Sequence, residues 1–295
     1  MLDAGWAELR AAGRDRAAQI TRATAAKQLI RDQLALVAPG LLEAHSEPLE
    51  SATWLACLEV VLDRWHGGDL AVMGGEQFAA AAAARLAGWG GRRLGPSAAK
   101  VLAALDGLRP VPRMLRAVAR RVRGALEDLR YARARRARTE AEMIAMLGGL
   151  GIDWQRACQI PGLSPAGLAA IVAEAGDVRR YQSSSSLVKH AGMSPARNES
   201  ASFRGKTAIS RRGRPALRLA AWRATWAVLR HCDVLAAKHA ALTGRDDDSR
   251  LTPDQARVAC AASLLRWIWS LMVHGTCWDA RIAAGELGHH HAMAA

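Results

Sequence analysis

Apolar residues recur three or four positions apart along most of this chain, and two-residue alternation is almost absent. That spacing lines one face of an α-helix, so the sequence predicts a mainly α-helical protein. A first run over 6–38 places Ala17, Ile20, Thr24, Lys27, Ile30, Leu34 and Val37 on one face and stops at Pro39-Gly40. A second helix over 48–66 opens at Glu47-Pro48 and closes at Gly67-Gly68. The tract from Ala79 to Gly95 is Ala-rich, with turns at Gly88 to Gly91 and Gly95-Pro96. A long helix over 110–147 follows and ends at the hinge Gly148 to Gly151. Beyond it come a helix from Ala166 to Ala175, a short one between Ser183–Ser186 and His190, and two more over 214–242 and 253–274, separated by a solvated turn at Gly244 to Asp248. Residues 195–210 lack any helical period and read as a short hairpin or loop. The pattern divides the chain into a coiled-coil-like helical arm with an Ala/Gly-rich insert (1–150), a compact helical domain (151–276) and a flexible tail (277–295).

Composition changes the picture through charge. With 295 residues and 51% hydrophobic content the chain can bury a core without staples. The 41 Lys and Arg against 27 Asp and Glu leave a net charge of +14, which calls for a polyanion rather than a small metabolite. GC-rich codon usage accounts for Arg in place of Lys and for the abundance of Trp, but not for the excess of bases over acids. Five cysteines without a C-x-x-C pair read as reduced thiols of a cytoplasmic protein, with neither a disulfide framework nor a zinc site. His289 to His291 read as a passive tail, and the N-terminus lacks a secretory signal pattern. The most apolar window, 258–278, carries Arg266 in its middle, with Val258, Ala262, Leu265, Trp269 and Met272 at helical spacing. A buried helix is expected there, and no membrane association.

Two segments concentrate the charge. From Arg109 to Glu140 eleven arginines face only Glu127, Asp128 and Glu140; a solvated coiled-coil face and a phosphate grip both account for this. From Arg204 to Arg223 the basic residues Arg204, Lys206, Arg211, Arg212, Arg214, Arg218 and Arg223 meet no acid at all, so this segment needs an external anion, and nucleic acid fits best. Upstream, Gln159-Ile-Pro-Gly162-Leu-Ser164-Pro165 resembles a helix-hairpin-helix turn, whose backbone N–H groups receive phosphate at a helix N-terminus. Pro165 suits the first helical turn but removes one donor. No P-loop, dinucleotide-binding glycine fingerprint or Gly-x-Ser-x-Gly elbow is present.

The order Ala191-Gly192-Met193-Ser194-Pro195, then Ser200, then a Gly/Lys/Arg-rich loop and Gly213-Arg214-Pro215-Ala216-Leu217-Arg218 resembles the C-terminal domain of the RuvC-like "DEDD" insertion-sequence transposases that use a bridge RNA, and of the related pilin-gene-inverting recombinases. The likeness runs over about residues 144–274, with a weaker echo at 6–40. It implies transposition or site-specific recombination of DNA, with a serine nucleophile at Ser200 and a coiled-coil arm that supports homo-oligomers. It also implies a structured guide RNA as a candidate second partner. Where such proteins commonly have Gly after the serine, this chain has Ala201-Ser202-Phe203, which makes Ser202 a rival. Their four metal-holding carboxylates stand in an N-terminal domain that the resemblance does not find here. The expectation is therefore an N-terminally truncated copy that is not competent alone, with no metal site in this chain and a divalent metal expected with the acidic domain.

The chemistry suits the residues. A serine hydroxyl that attacks phosphorus holds the strand end as a phosphoserine ester, and cations must offset the charge that develops on the phosphorane. Arg197, Arg204 and Lys206 lie within six positions of Ser200, and Gly162, Arg211, Arg212, Arg214, Arg218 and Arg223 are candidate nucleic-acid contacts. The alternative is a module that binds DNA or structured RNA without chemistry.

Overall fold

The computed structural model describes residues 4–65, 70, 72–86, 94–108, 112–151, 153–196, 199–200, 203–204, 208–247 and 249–285. In chain order its elements are α1 (Ala4–Val37), α2 (Gly40–Glu43), a 3₁₀ turn (Pro48–Glu50), α3 (Ala52–Arg64), α4 (Gly75–Ala83), α5 (Leu94–Leu105), α6 (Pro112–Gly149), α7 (Trp154–Ala157) and α8 (Pro165–Ala175). A second 3₁₀ turn (Val178–Arg180), α9 (Ser184–His190), strands β1 (Pro195–Ala196), β2 (Glu199–Ser200), β3 (Phe203–Arg204) and β4 (Ala208–Ile209), then α10 (Pro215–His231), α11 (Asp233–Thr243), α12 (Pro253–His274) and α13 (Ala280–Ala284) complete it. The protein is mainly α, as the periodicity predicts. Within the segment over 195–210 the described strand residues pair antiparallel, as in a hairpin.

Packing separates two compact units, one of Met1–Ala17 with Ala137–Ala295 and one of Ala18–Arg136. Glycine punctuation suggests a division near residue 150. Core membership instead draws it inside α1 and inside α6, where unbroken helical hydrogen bonding gives no local sign of it.

In the unit Ala18–Arg136 the core joins Ile30 and Leu34 of α1, Trp54, Leu58 and Leu62 of α3, Phe78 of α4, Val101 of α5 and Val122 and Leu129 of α6. The buried Trp54 indole donates to the Leu41 carbonyl at 3.0 Å, which satisfies its only polar group. The seam of α1 departs from the expected one. It runs through Ala23, Ala26, Ile30, Leu34 and Val37, while Thr24 is exposed with its hydroxyl on the Ile20 carbonyl and Lys27 pairs with Glu50 at the edge. Alanines let a neighbouring helix approach, whereas burying the polar ends of Thr and Lys would leave them to be satisfied. The arginines of α6 also find partners that local counting misses. Arg133 reaches Glu50 at 2.6 Å, Arg130 pairs with Glu59, and Arg123 joins Arg85 on Asp63. Burial alone would raise the Asp63 carboxyl, but the hydrogen bonds and charges of Arg85 and Arg123 outweigh it and hold it below the usual carboxylate range. Arg116, Arg120 and Arg121 are exposed.

In the other unit α8 is central. Its residues Leu168 to Ala175 are all buried, against Leu9, Met143 and Leu147 from the ends of α1 and α6, Leu217 and Val228 of α10, and α12. The expected helix over 214–242 is broken at Cys232, whose backbone is extended (φ −116°, ψ 102°) and whose carbonyl accepts from Leu235 and Ala236 to start α11. No Gly or Pro marks that break; the acid at Asp233, in the first turn of α11, is the only local sign. α12 begins with a capping box between Thr252 and Gln255. It is the one helix among the described residues long and apolar enough to cross a membrane, and half of that stretch is buried in the unit. Of its expected inner positions, Ala262 and Leu265 are buried and Val258, Trp269 and Met272 are half-buried.

Candidate nucleic-acid interface

The basic segment folds as an arm on a narrow neck. After α9 the chain turns at Gly192 (φ +69°) and runs out along β1, which pairs with β4 through Pro195↔Ile209 and Ala196↔Ala208. Further out, β2 pairs with β3 through Glu199↔Arg204 and Ser200↔Phe203. Among the described residues Ser200 is therefore the last paired one on the outgoing side. Two residues separate β1 from β2 and three separate β3 from β4, so the register slips by one along the arm.

Main-chain hydrogen bonds close the neck: Arg214 N to His190 O at 2.7 Å, Arg211 N to Gly192 O at 3.0 Å and Ser210 N to Ser194 O at 2.8 Å. The two glycines explain how the strands come so close. A Cβ on Gly213 would lie 2.4 Å from Gly192 N and 2.5 Å from His190 O, inside any real contact. Because backbone blocks both directions, Gly213→Ala is expected to destabilise this unit by about 3 kcal/mol or more. The check is thermal unfolding, with the melting temperature falling by roughly 10 °C; an unchanged melting temperature would refute the packing argument.

Side chains tie the neck to the helices beneath. Arg218 Nη1 donates to the Ala191 carbonyl at 2.9 Å, and Arg214 Nε donates to Glu174 Oε2 at 2.6 Å. Glu174 is buried on α8, so Arg214 supplies the countercharge that a buried carboxylate requires. Arg10 donates to the neighbouring Ala173 carbonyl at 3.3 Å. Next to this pair, the Tyr181 hydroxyl donates to the Ala175 carbonyl at 2.7 Å, and its ring centroid lies 5.6 Å from that of His190. Partial burial, then the charges of Arg214 and Arg10, lower the His190 pKa below the usual histidine value, which disfavours the charged form of this ring.

The candidate contacts thus separate by environment. Arg211 and Arg212 are exposed, and Arg211 holds a left-handed backbone (φ 52°) that a non-glycine residue adopts only where its surroundings enforce it. Arg214 and Arg218 are partly buried parts of the neck. Arg223 is half-buried; burial and then the charge of Arg16 lower its pKa. Ser200 and Arg204 enter as backbone-paired strand residues, while Arg197, Ser202 and Lys206 lie outside the described residues, as do Asp248 and the histidines of the tail. Asp247 accepts from Ser249 N at 2.9 Å, which makes the acidic run a local turn. Among the described residues no three His, Cys, Asp or Glu side chains converge as metal ligands would.

At the helix-hairpin-helix-like turn, Leu163 N donates to Ile160 O at 3.0 Å with Gly162 at φ +83°. This is a type II turn with Pro161 and Gly162 in their preferred places. A Cβ on Gly162 would strike the Ala227 carbonyl of α10 at 2.6 Å, so glycine also permits this turn to pack on α10. Ser164 Oγ accepts from Gly167 N at 3.1 Å and caps α8. Glu174 escapes a reading built on cationic runs, although a lone acid in the apolar run Leu168 to Ala175 is itself the sign of a buried ion pair.

Residues 155–240 match the sequence model of the Transposase IS116/IS110/IS902 family, a stretch that holds the type II turn, the neck, the arm and α10. The match supports an insertion-sequence transposase. No curated protein matches the chain.

Proposed function

We propose that this chain acts in DNA transposition as a serine-dependent recombinase of the RuvC-like, bridge-RNA-using kind, with Ser200 as nucleophile. The observation that carries the reading is the arm itself: a basic hairpin, closed at its base by main-chain bonds and rooted on α8, α9 and α10, that sets one serine at its outermost described pair. In the proposed step the Ser200 oxygen forms a bond to a backbone phosphorus, the bond from that phosphorus to the leaving sugar oxygen breaks, and the serine proton passes to solvent or base as the leaving oxygen takes one up. Arg197, Arg204 and Lys206, on the same arm, offset the charge on the phosphorane, and Ser202 supports the turn.

Arg211 and Arg212 take the flanking phosphates, with Arg223 and the turn at Gly162 as further contacts. Arg214 and Arg218 act mainly by holding the neck. The described residues do not form a carboxylate cluster fit for a divalent metal, so no step is assigned to one here; an acidic domain in cis or in trans would supply it. Operation on chromosomal DNA in a bacterial cytoplasm, as an oligomer joined through the long helices, completes the reading. The decisive experiment is recovery of a covalent protein–DNA adduct that depends on Ser200.

A further inference from the structure

The outward face of α10 carries a pattern that the arm does not explain. Leu217, Ala221, Thr225 and Val228 turn into the core; the opposite face presents Leu219, Trp222, Arg223, Trp226 and Arg230 at three- and four-residue spacing. Leu219 is 42% and Trp226 39% exposed, which is high for large apolar side chains set so close together. The Trp226 ring is held in place. The Arg257 guanidinium lies 4.0 Å over it, and Trp222 meets it in a T-shaped arrangement at 5.4 Å. Arg257 is in turn fixed by Asp254 at 2.6 Å.

Charge identifies the occupant. From Ala201 to Cys232 the chain contains no acid, so the helix bearing these rings is cationic from its first residue to its last. An exposed indole between arginines fits a ligand that is both anionic and planar. Unpaired nucleotides supply both, because every base has a π-face and each carries a phosphate, and a ring already fixed in place lowers the ordering cost of stacking. We propose that Trp226, with Trp222 and Arg257 packed against it and Arg223 and Arg230 on the same helix face, is a stacking platform for an unpaired nucleotide of a single strand. This deepens the proposed function, on which it rests, by naming the form of nucleic acid that the helix grips.

The test uses the full chain, a fluorescent oligothymidine of about 15 nucleotides and a duplex of equal length. Trp226→Ala is expected to weaken single-strand binding roughly tenfold or more while duplex binding stays within about twofold, and Trp226→Phe is expected to keep most of the single-strand affinity because it keeps a ring. Single-strand binding unchanged in Trp226→Ala, or equal losses on both ligands, would overturn the platform. So would sedimentation in which Trp226→Ala abolishes self-association but leaves oligonucleotide binding intact, since the face would then serve a second copy of the chain. Doubly substituted Arg211→Ala, Arg212→Ala separates the two levels: it should weaken both ligands. If it weakens neither, the nucleic-acid reading itself fails; if it weakens both while Trp226→Ala does nothing, only the platform does.

Discussion

With a RuvC-like acidic domain supplied in cis or in trans and a cognate DNA end present, Ser200→Ala should eliminate both the covalent adduct and strand cleavage, a loss of about 10⁴-fold or more, the scale on which removal of a covalent nucleophile is felt. The size follows from the chemistry: without the hydroxyl there is no oxygen to bond phosphorus, and cations that stabilise a phosphorane have nothing to stabilise. Ser202→Ala should only weaken cleavage. The paired register gives Ser200 a defined place in a ladder opposite Phe203. A denaturing gel resolves the adduct. An adduct that survives Ser200→Ala and disappears in Ser202→Ala would move the nucleophile two residues along the arm, and DNA binding without any adduct in the wild type would leave a module without chemistry.

Binding to DNA should weaken roughly a thousandfold between ~50 and ~200 mM salt if six to ten phosphates are neutralised, because each contact releases counterions. Exposed cations should carry this dependence. Replacing Arg211 and Arg212 together should reduce the slope of log affinity against log salt by about two and leave the fold intact. Arg214→Ala should behave differently, since it strips the partner from a buried carboxylate and so loses stability along with affinity. Fluorescence anisotropy across a salt series, together with a melting curve for each variant, separates the two kinds of arginine. A salt-independent affinity would refute phosphate contact as the basis of binding.

Most of the helical framework is legible in the sequence because 3.6-residue periodicity is a local property: α6, α8, α9 and α12 lie within a residue or two of the expected ranges. What escapes is whatever depends on residues distant in the chain. The seam of α1 is offset because Thr24 and Lys27 fit the spacing as well as Ala23 and Ala26, and only the neighbouring helices decide between them. The arginines of α6 look unpaired within their own segment, yet Glu50, Glu59 and Asp63 come from before and within α3. At the candidate site the basic run and the hairpin are readable, but the division of labour within it is not. Arg212 and Arg214 are two positions apart and chemically identical; Glu174, forty residues away in sequence, makes one of them a structural strut.

The bonds that close the neck run between main-chain atoms, at His190, Gly192 and Ser194 on one side and Ser210, Arg211 and Arg214 on the other. A loop closed at its base by main-chain bonds does not draw that closure from its own side chains. The closure itself would therefore tolerate a change of sequence or length between Ser194 and Ser210, as long as the bonds at its base persist. Selection on such a protein can retune what the arm touches without renegotiating how the domain folds, and an engineer can graft there for the same reason.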